Sequence, residues 1–369
     1  MTGEFLDDEE ARTRAKGGDG AEQSIRPLPA PTPEARGESE TTRVRVGQPS
    51  EILPIVPLML GFQPADGDLV MMGMSGRGRL VVTARFAAAE PRMFSDEALQ
   101  PILHNVRAAG ANAAILIGYG PGEIVTPTMD RMRTGVSQHL ELRDALRVEG
   151  DRFWSYHCVD PQCCPPEGRQ FAAETEATTA LRTAGLYAAA SRESVADQIA
   201  GPTGEKAAVA REALEEARRL PLSLRTGRQV VERALATIHE GRRLGDAEVA
   251  KLAVALGQIP VRDHAWSRMT RDRAEQHLEF WADIVRRLPN EAVAAPASLL
   301  AWTSWQTGRG ALANLALDRV QQADPDYSLA ELLRAALTAG LSPELAEPPM
   351  TPAEVERAYG PEPDPEIGS

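Results

Sequence analysis

Apolar positions along this chain follow two rhythms. Between residues 50 and 160 they gather in short runs cut by Gly, Pro and acidic turns, whereas from Phe171 onward they recur every three or four positions. The first rhythm is that of strands with short helices, the second that of amphipathic helices. Ile52 to Leu60 suits a short helix interrupted by prolines, ended by Gly61 and Pro64. Asp66-Gly67-Asp68 reads as a turn. Leu69 to Met74 and Leu80 to Arg85, joined by Ser75-Gly-Arg-Gly78, predict a hairpin. Ser95 is placed to cap a helix reaching about Ala109, with Leu99, Ile102, Leu103 and Val106 on one face and Gly110 as its stop. Ala113 to Ile117 reads as a buried strand that runs into Gly118-Tyr-Gly-Pro-Gly122. A helix over about 127 to 139 follows, then strands over 142 to 148 and 152 to 158 that turn at Glu149-Gly-Asp151. This order predicts a mixed sheet with helices packed on it.

In the second half, Val230, Val231, Ala234, Leu235 and Ile238 form one helical stripe. Val249, Leu252, Ala253 and Leu256 form the next, with Asp246 as its N-cap, and His277 to Leu288 a third, stopped by Pro289. Ser328-Leu-Ala-Glu331 and Thr351-Pro-Ala-Glu354 have the form of capping boxes. Residues 201 to 226, rich in Gly, Pro and charge, are expected to form a loop or hinge. Leu300, Ala301, Gly308, Ala313, Leu317 and Pro325 follow tetratricopeptide spacing, but one such hairpin without further copies does not make a solenoid. The expected fold class is therefore an α/β domain over 48–168, ending in a Cys-rich loop, followed by an all-α, partly tetratricopeptide-like domain over 169–345. Residues 1–47 and most of 346–369 carry too few large apolar side chains to offset the entropy of ordering and are expected to be disordered, the latter with one short helix.

Composition narrows the partners. With 369 residues and 43% hydrophobic content the chain has material for two modest cores. A net charge of −13 with no basic stripe argues against nucleic acid and anionic membrane surfaces. No apolar run has the length of a membrane span, and the acidic first ten residues lack the basic start and apolar run of a signal peptide. A cytoplasmic location is expected, where thiols stay reduced.

Candidate chemistry collects around residues 85, 118 to 133 and 148 to 168. Gly118, Tyr119 and Gly120 stand at the carboxyl end of a predicted strand, where open α/β sheets bind ligands and glycines admit close backbone approach. The segment reads either as such a site or as a plain strand-to-helix turn, and Pro121 removes one amide donor. Arg85, Asp130, Arg131 and Arg133 are candidates to gather round an anion. Cys158, Cys163 and Cys164 admit three readings: a proline-locked packed loop, a redox-sensitive bridge, or a metal site. Zinc needs four ligands, and His157 and Cys158, adjacent on a predicted strand, would point to opposite faces, so no metal is expected. Trp154 and Tyr156 share a strand face and are expected to pack. His239 and His277 read as structural, while His264 could be oriented by a carboxylate but has no nucleophile near it in sequence. No P-loop, nucleophile elbow, HExxH or EF-hand pattern is present.

Ile55 to Pro64, Leu69 to Gly73, Thr83-Ala-Arg85, Gly118-Tyr-Gly120, Trp154 to Cys158 and above all Cys163-Cys-Pro-Pro-Glu-Gly168 together carry a resemblance. So do Val261-Arg-Asp263, Ala311 to Arg319 and Asp324 to Leu329. The chain resembles the actinobacterial domain-of-unknown-function family numbered forty-one ninety-two over about residues 48 to 345. That resemblance implies the two-part layout and no established activity. Two departures from the family pattern are Asp68, where Ser is usual, and the lack of the usual acidic residue soon after Arg85.

Two functions from different classes follow as expectations. One is a non-enzymatic module whose helical half offers a groove to a protein partner. The other is an enzyme or sensor that binds an anionic small molecule at the carboxyl edge of the sheet through Arg85, Gly118, Tyr119, Gly120 and Arg131. A thiol switch built on Cys158, Cys163 and Cys164 is a third, and the sequence leaves any cofactor unknown.

Overall fold

The computed structural model describes residues 44–87, 95–341, 343 and 347–360. The expected disordered ends, residues 1–43 of the leader and the tail from Pro361, lie outside the described residues. The chain opens with α1 (Pro49–Ile52), a 3-10 turn (Leu53–Ile55) and α2 (Val56–Leu60), which Gly61 ends at φ +81°. Then come β1 (Asp68–Met74), β2 (Leu80–Ala87), α3 (Asp96–Ala108), β3 (Ala113–Tyr119), α4 (Gly122–Ser137), β4 (Glu141–Glu149), β5 (Arg152–Ser155) and β6 (Arg169–Gln170). The hydroxyl of Ser95 accepts from the Ala98 amide and caps α3 as its position foretold. α4 starts five residues earlier than Pro127 suggested. Its proline is tolerated because the carbonyl it leaves unpaired belongs to exposed Glu123, which water can reach.

The six strands form one mixed sheet in the order β2-β1-β3-β4-β5-β6. Every pairing is antiparallel except β3 with β4, the pair that α4 connects. Alternation sorts the side chains onto two faces. Leu69, Met71, Ala114, Leu116 and Ala145 face α3 and α4 in one core with Leu99, Leu103, Val125, Met129, Met132 and Val136. Val70, Met72, Ile115, Ile117, Leu146, Val148 and Phe153 point the other way and are equally buried. A sheet covered on both faces explains why its central strands read as continuous apolar runs. α2 lies against β2 and against α5 (Glu176–Thr183), where Ile55, Leu58 and Leu181 make a small separate core.

The rest is helical: α6 (Arg192–Asp197), α7 (Gly204–Arg218), α8 (Leu224–Glu240), α9 (Asp246–Leu256), α10 (Ile259–Ser267), α11 (Ala274–Arg287), α12 (Ala294–Gln306), α13 (Gly310–Ala323), α14 (Ser328–Thr338) and α15 (Pro352–Tyr359). The expected hinge over 201 to 226 is in fact occupied by α7 and the start of α8. Ala, Glu, Lys and Arg are strong helix formers, and α7 buries little beyond Ala207 and Leu214, so its charge looked like a loop. Asp246 is the first helical residue after the cap, and Ser328 likewise lies inside its helix, whereas Thr351 caps α15 as expected. No helix among the described residues is long and apolar enough to cross a membrane.

α12 is the centre of this half. From Ala295 to Gln306 every residue is buried, and Trp302 meets Trp266 and Trp305 edge-on at 5.1 and 5.4 Å between ring centroids. Two of its hydroxyls bond back to its own carbonyls, Ser298 to Ala294 at 2.9 Å and Thr303 to Leu300 at 3.0 Å, whereas the buried Ser304 hydroxyl has no partner among the described residues. α13 returns along it as the expected hairpin. On α13, buried Arg319 donates to the carbonyls of Ile199, Val285 and Leu288 at 2.5, 2.7 and 2.6 Å. Val285 and Leu288 end α11, where carbonyls lack intrahelical partners and a cation is favoured. Burial without a carboxylate pushes the Arg319 pKa down to about 10, so it stays charged at neutral pH. Neighbouring Asp318 accepts from Arg192 and Arg334, both at 2.8 Å, and ties α6 and α14 to the same helix.

Removing the Arg319 guanidinium takes the donor from the buried carbonyls of Ile199 and Leu288 and leaves Val285 with the Leu288 amide alone. Arg319→Met should therefore cost roughly 3 to 5 kcal/mol, read as a lowered midpoint in urea unfolding. Arg319→Lys, which keeps the charge but loses the planar fork of donors, should recover only part of that loss.

Candidate functional site

β3 and β4 end side by side, and the chain leaves them in opposite directions. β3 enters Gly120, held at φ +111°, and then Pro121, which precedes α4. The Gly120 amide donates to Val148 of β4 at 2.7 Å, and its carbonyl accepts from Arg147 at 3.3 Å. A Cβ on Gly120 would stand 3.0 Å from that of Asp66, so glycine is required both for the backbone angle and for the approach of the turn before β1. That turn is pinned from both sides. Gly67 donates to the Tyr119 carbonyl at 2.8 Å, and the carboxylate of buried Asp68 accepts from the Ala65 amide and from Arg85, at 3.0 and 2.5 Å.

Above these strand ends lies a cleft of about 580 Å³, within the ~300 to 1,000 Å³ usual for small-molecule sites. Tyr119, Gly120, Val148 and Gly150 form its floor, Asp66 and Gln63 one polar side. Leu53, Pro54, Pro57 and Leu58 supply an apolar wall, and Phe171, Ala173, Tyr187 and Ala188 close it with Arg182, which is paired to Glu174. The walls meet because Phe62 and Ala189 form a β-bridge, with Gln63 donating to Ala189 and Ala189 to Gly61, both at 2.9 Å. The buried Tyr119 hydroxyl has no hydrogen-bond partner among the described residues. Burial, and then the charge of Asp68, raise its pKa far above that of an ordinary phenol, so it is a neutral O–H.

The residues singled out from the sequence divide accordingly. Tyr119 and Gly120 line the cleft. Gly118 does not: a Cβ there would lie 2.2 Å from Val125, so it is the point where α4 packs onto β3. Arg85 sits on the edge strand, on the face opposite α4, paired with Asp68 and 5.9 Å from the Phe62 ring. Arg131 is exposed on α4, across the sheet from Arg85. The two arginines are thus not brought together. Arg133 pairs with exposed Asp130 and lies over the Tyr156 ring, and Tyr156 shares a 2.9 Å hydrogen bond with Thr126 while packing on the α4 core. Asp66, Leu53, Pro54, Phe171 and Tyr187 are not legible in the sequence as site residues, because they come from segments before and after the sheet and carry no binding motif.

Cys158, Cys163 and Cys164 lie outside the cleft, with their sulfurs within 4.8 Å of one another. All three are free thiols.

His239 and His277 of the helical half border a second cleft, of about 570 Å³, lined also by Glu232, Ser267, Arg268, Asp272 and Arg273. His264 is indeed held by a carboxylate, but by Glu232 at 2.7 Å rather than by its neighbour Asp263. Asp263 is occupied by Arg262 at 2.6 Å and by the Tyr359 hydroxyl at 2.5 Å, which fastens α15 onto α10. The Ser267 hydroxyl donates to the His264 carbonyl and is not aligned with the imidazole. Buried His277 is pushed down to about 4 by burial first and then by Arg273 and His239, against the pull of Asp272. Between about 6.5 and that value the unfolded chain binds a proton that the folded chain refuses, so stability falls as pH falls through this window. Up to roughly 3 kcal/mol is at stake. Thermal melts from pH 7 to 4 should show a falling Tm, and His277→Gln should flatten that fall.

A mixed α/β sheet with a helical C-terminal half and one ligand-sized cleft at its strand ends is the class of protein that this geometry defines. The chain belongs to the family described as Domain of unknown function (DUF4192), whose model matches residues 49–344, from α1 to just beyond α14. No curated protein and no solved structure matches the chain.

Proposed function

We propose that this protein binds a small organic molecule in the cleft at the carboxyl ends of β3 and β4. The observation that carries the reading is a cavity of ligand size at the strand ends, lined in part by Tyr119, whose buried, neutral hydroxyl has no partner among the described residues. A buried hydroxyl with no partner costs roughly 1 to 3 kcal/mol, and a ligand acceptor would remove that cost. Asp66 at Gly120 would repel an anion, while Arg182 is already neutralised by Glu174 and Asp68 by Arg85. The fitting ligand is therefore uncharged, largely apolar against Pro54, Pro57, Leu58 and Phe171, and carries a hydrogen-bond acceptor for Tyr119. The described lining contains no His, Cys, Ser or Lys, which favours binding or sensing over covalent chemistry. A protein-partner groove on the helices has less support, because α12 is enclosed along its length. The cytoplasm, where small metabolites are plentiful, is the location that goes with this reading.

The test combines native mass spectrometry of freshly purified protein with a thermal-shift screen of uncharged metabolites. A bound compound should raise Tm, and Tyr119→Phe should weaken its binding about tenfold, equivalent to ~1.4 kcal/mol. The ligand-free variant should melt at or above the wild-type temperature, since it loses only an unsatisfied hydroxyl. A clear drop in its Tm together with unaltered binding would show the hydroxyl to be structural and would overturn the proposal.

A further inference from the structure

The loop over residues 156–168 plays no part in the cleft, yet it is built with care at both ends. At its start the Ser155 hydroxyl accepts from the amides of His157 and Cys158, at 3.1 and 3.3 Å, while donating to Asp144 at 3.0 Å. In its middle the Asp160 carbonyl accepts from the amides of Cys163 and Cys164, at 3.1 and 2.7 Å. At its end Trp154 donates to the Pro166 carbonyl and Arg152 to that of Gly168, both at 2.9 Å. Gly168, at φ +80°, lies so close to Trp154 that a Cβ would come within 2.6 Å of the ring. These anchors hold the loop in one shape before anything binds, which is the usual condition for a metal site.

On a strand continued to Cys158, His157 and Cys158 would point to opposite faces. β5 instead stops at Ser155, and residues 156 and 157 bend away, so strand alternation no longer separates the ligands. All three sulfurs converge within 4.8 Å. In a tetrahedral centre with Zn–S bonds of ~2.3 Å, neighbouring sulfurs stand roughly 3.8 Å apart, so modest side-chain rotation brings them onto one ion. A disulfide would use only two of the three.

We infer that Cys158, Cys163 and Cys164 form a tri-thiolate site for zinc, with water in the fourth position on the side of exposed Cys163. Three S–H bonds are replaced by three Zn–S bonds, up to three protons are released to solvent, and no oxidation state changes. The ligand is a thiophilic divalent ion held at a surface knuckle with one exchangeable position, which sets it apart from a closed structural centre.

The experiment is titration of the full, reduced chain with Zn²⁺ against a chromogenic chelator, with Co²⁺ as a spectroscopic stand-in. The expected results are one ion per chain, proton release on binding, and thiolate-to-cobalt charge-transfer absorption. Cys158→Ser, Cys163→Ser and Cys164→Ser should each weaken binding at least about 100-fold, and a melt in the presence of chelator should show that each still folds. Zinc binding indifferent to all three substitutions, or no stoichiometric binding by the reduced chain, would overturn the site. So would a disulfide in the purified protein that persists under mild reduction, seen as the missing mass of one hydrogen pair.

Discussion

Parallel pairing between β3 and β4 obliges the chain to cross over the sheet, and α4 is that crossover. The crossover brings both strands to end at one edge while their continuations part, one into α4 and one into the Glu149 turn. A cleft lies at that edge, the carboxyl end of the parallel pair, where open α/β sheets commonly bind ligands. Gly118 lets α4 sit down on β3, and Gly120 lets the turn at Asp66 close over the strand end. Neither glycine has to touch a ligand to be indispensable. What the gap becomes depends on its walls, and these are fixed by the Phe62–Ala189 bridge, which joins the segment before the sheet to the segment after it.

Much of this could be read from the residues in order. Continuous apolar runs gave the strands because both faces of the sheet are covered, and Ser95 and Thr351 gave helix starts because their hydroxyls meet local amides. α7 was misread because an exposed helix with few buried positions shows charge rather than periodicity. The end of β5 was placed too late because the Tyr156 to Cys158 segment alternates like a strand while the Ser155 hydroxyl turns it aside. Tyr119 and Gly120 were visible at the strand end, whereas the walls they face come from remote segments that only the folded chain assembles. Arg85 reads in the sequence as a free cation for an anionic ligand, whereas in the fold it is paired with Asp68.

The helical half rests on a comparable economy. α12 is too apolar to face water anywhere, so its neighbours must enclose it. Arg319 then satisfies helix-end carbonyls that this enclosure would strand. The tetratricopeptide-like spacing reflects a close hairpin of α12 and α13, and the same small residues that permit the close approach leave no open concave face along α12.

The most direct test of the ligand-cleft reading is an experimental structure of the protein purified without added ligand and without denaturation. Density for a small molecule is expected between Pro57, Phe171 and Tyr119, with an acceptor atom at hydrogen-bond distance from the Tyr119 hydroxyl. A cleft closed by its own side chains, with that hydroxyl bonded to Asp68, would contradict the ligand-cleft reading.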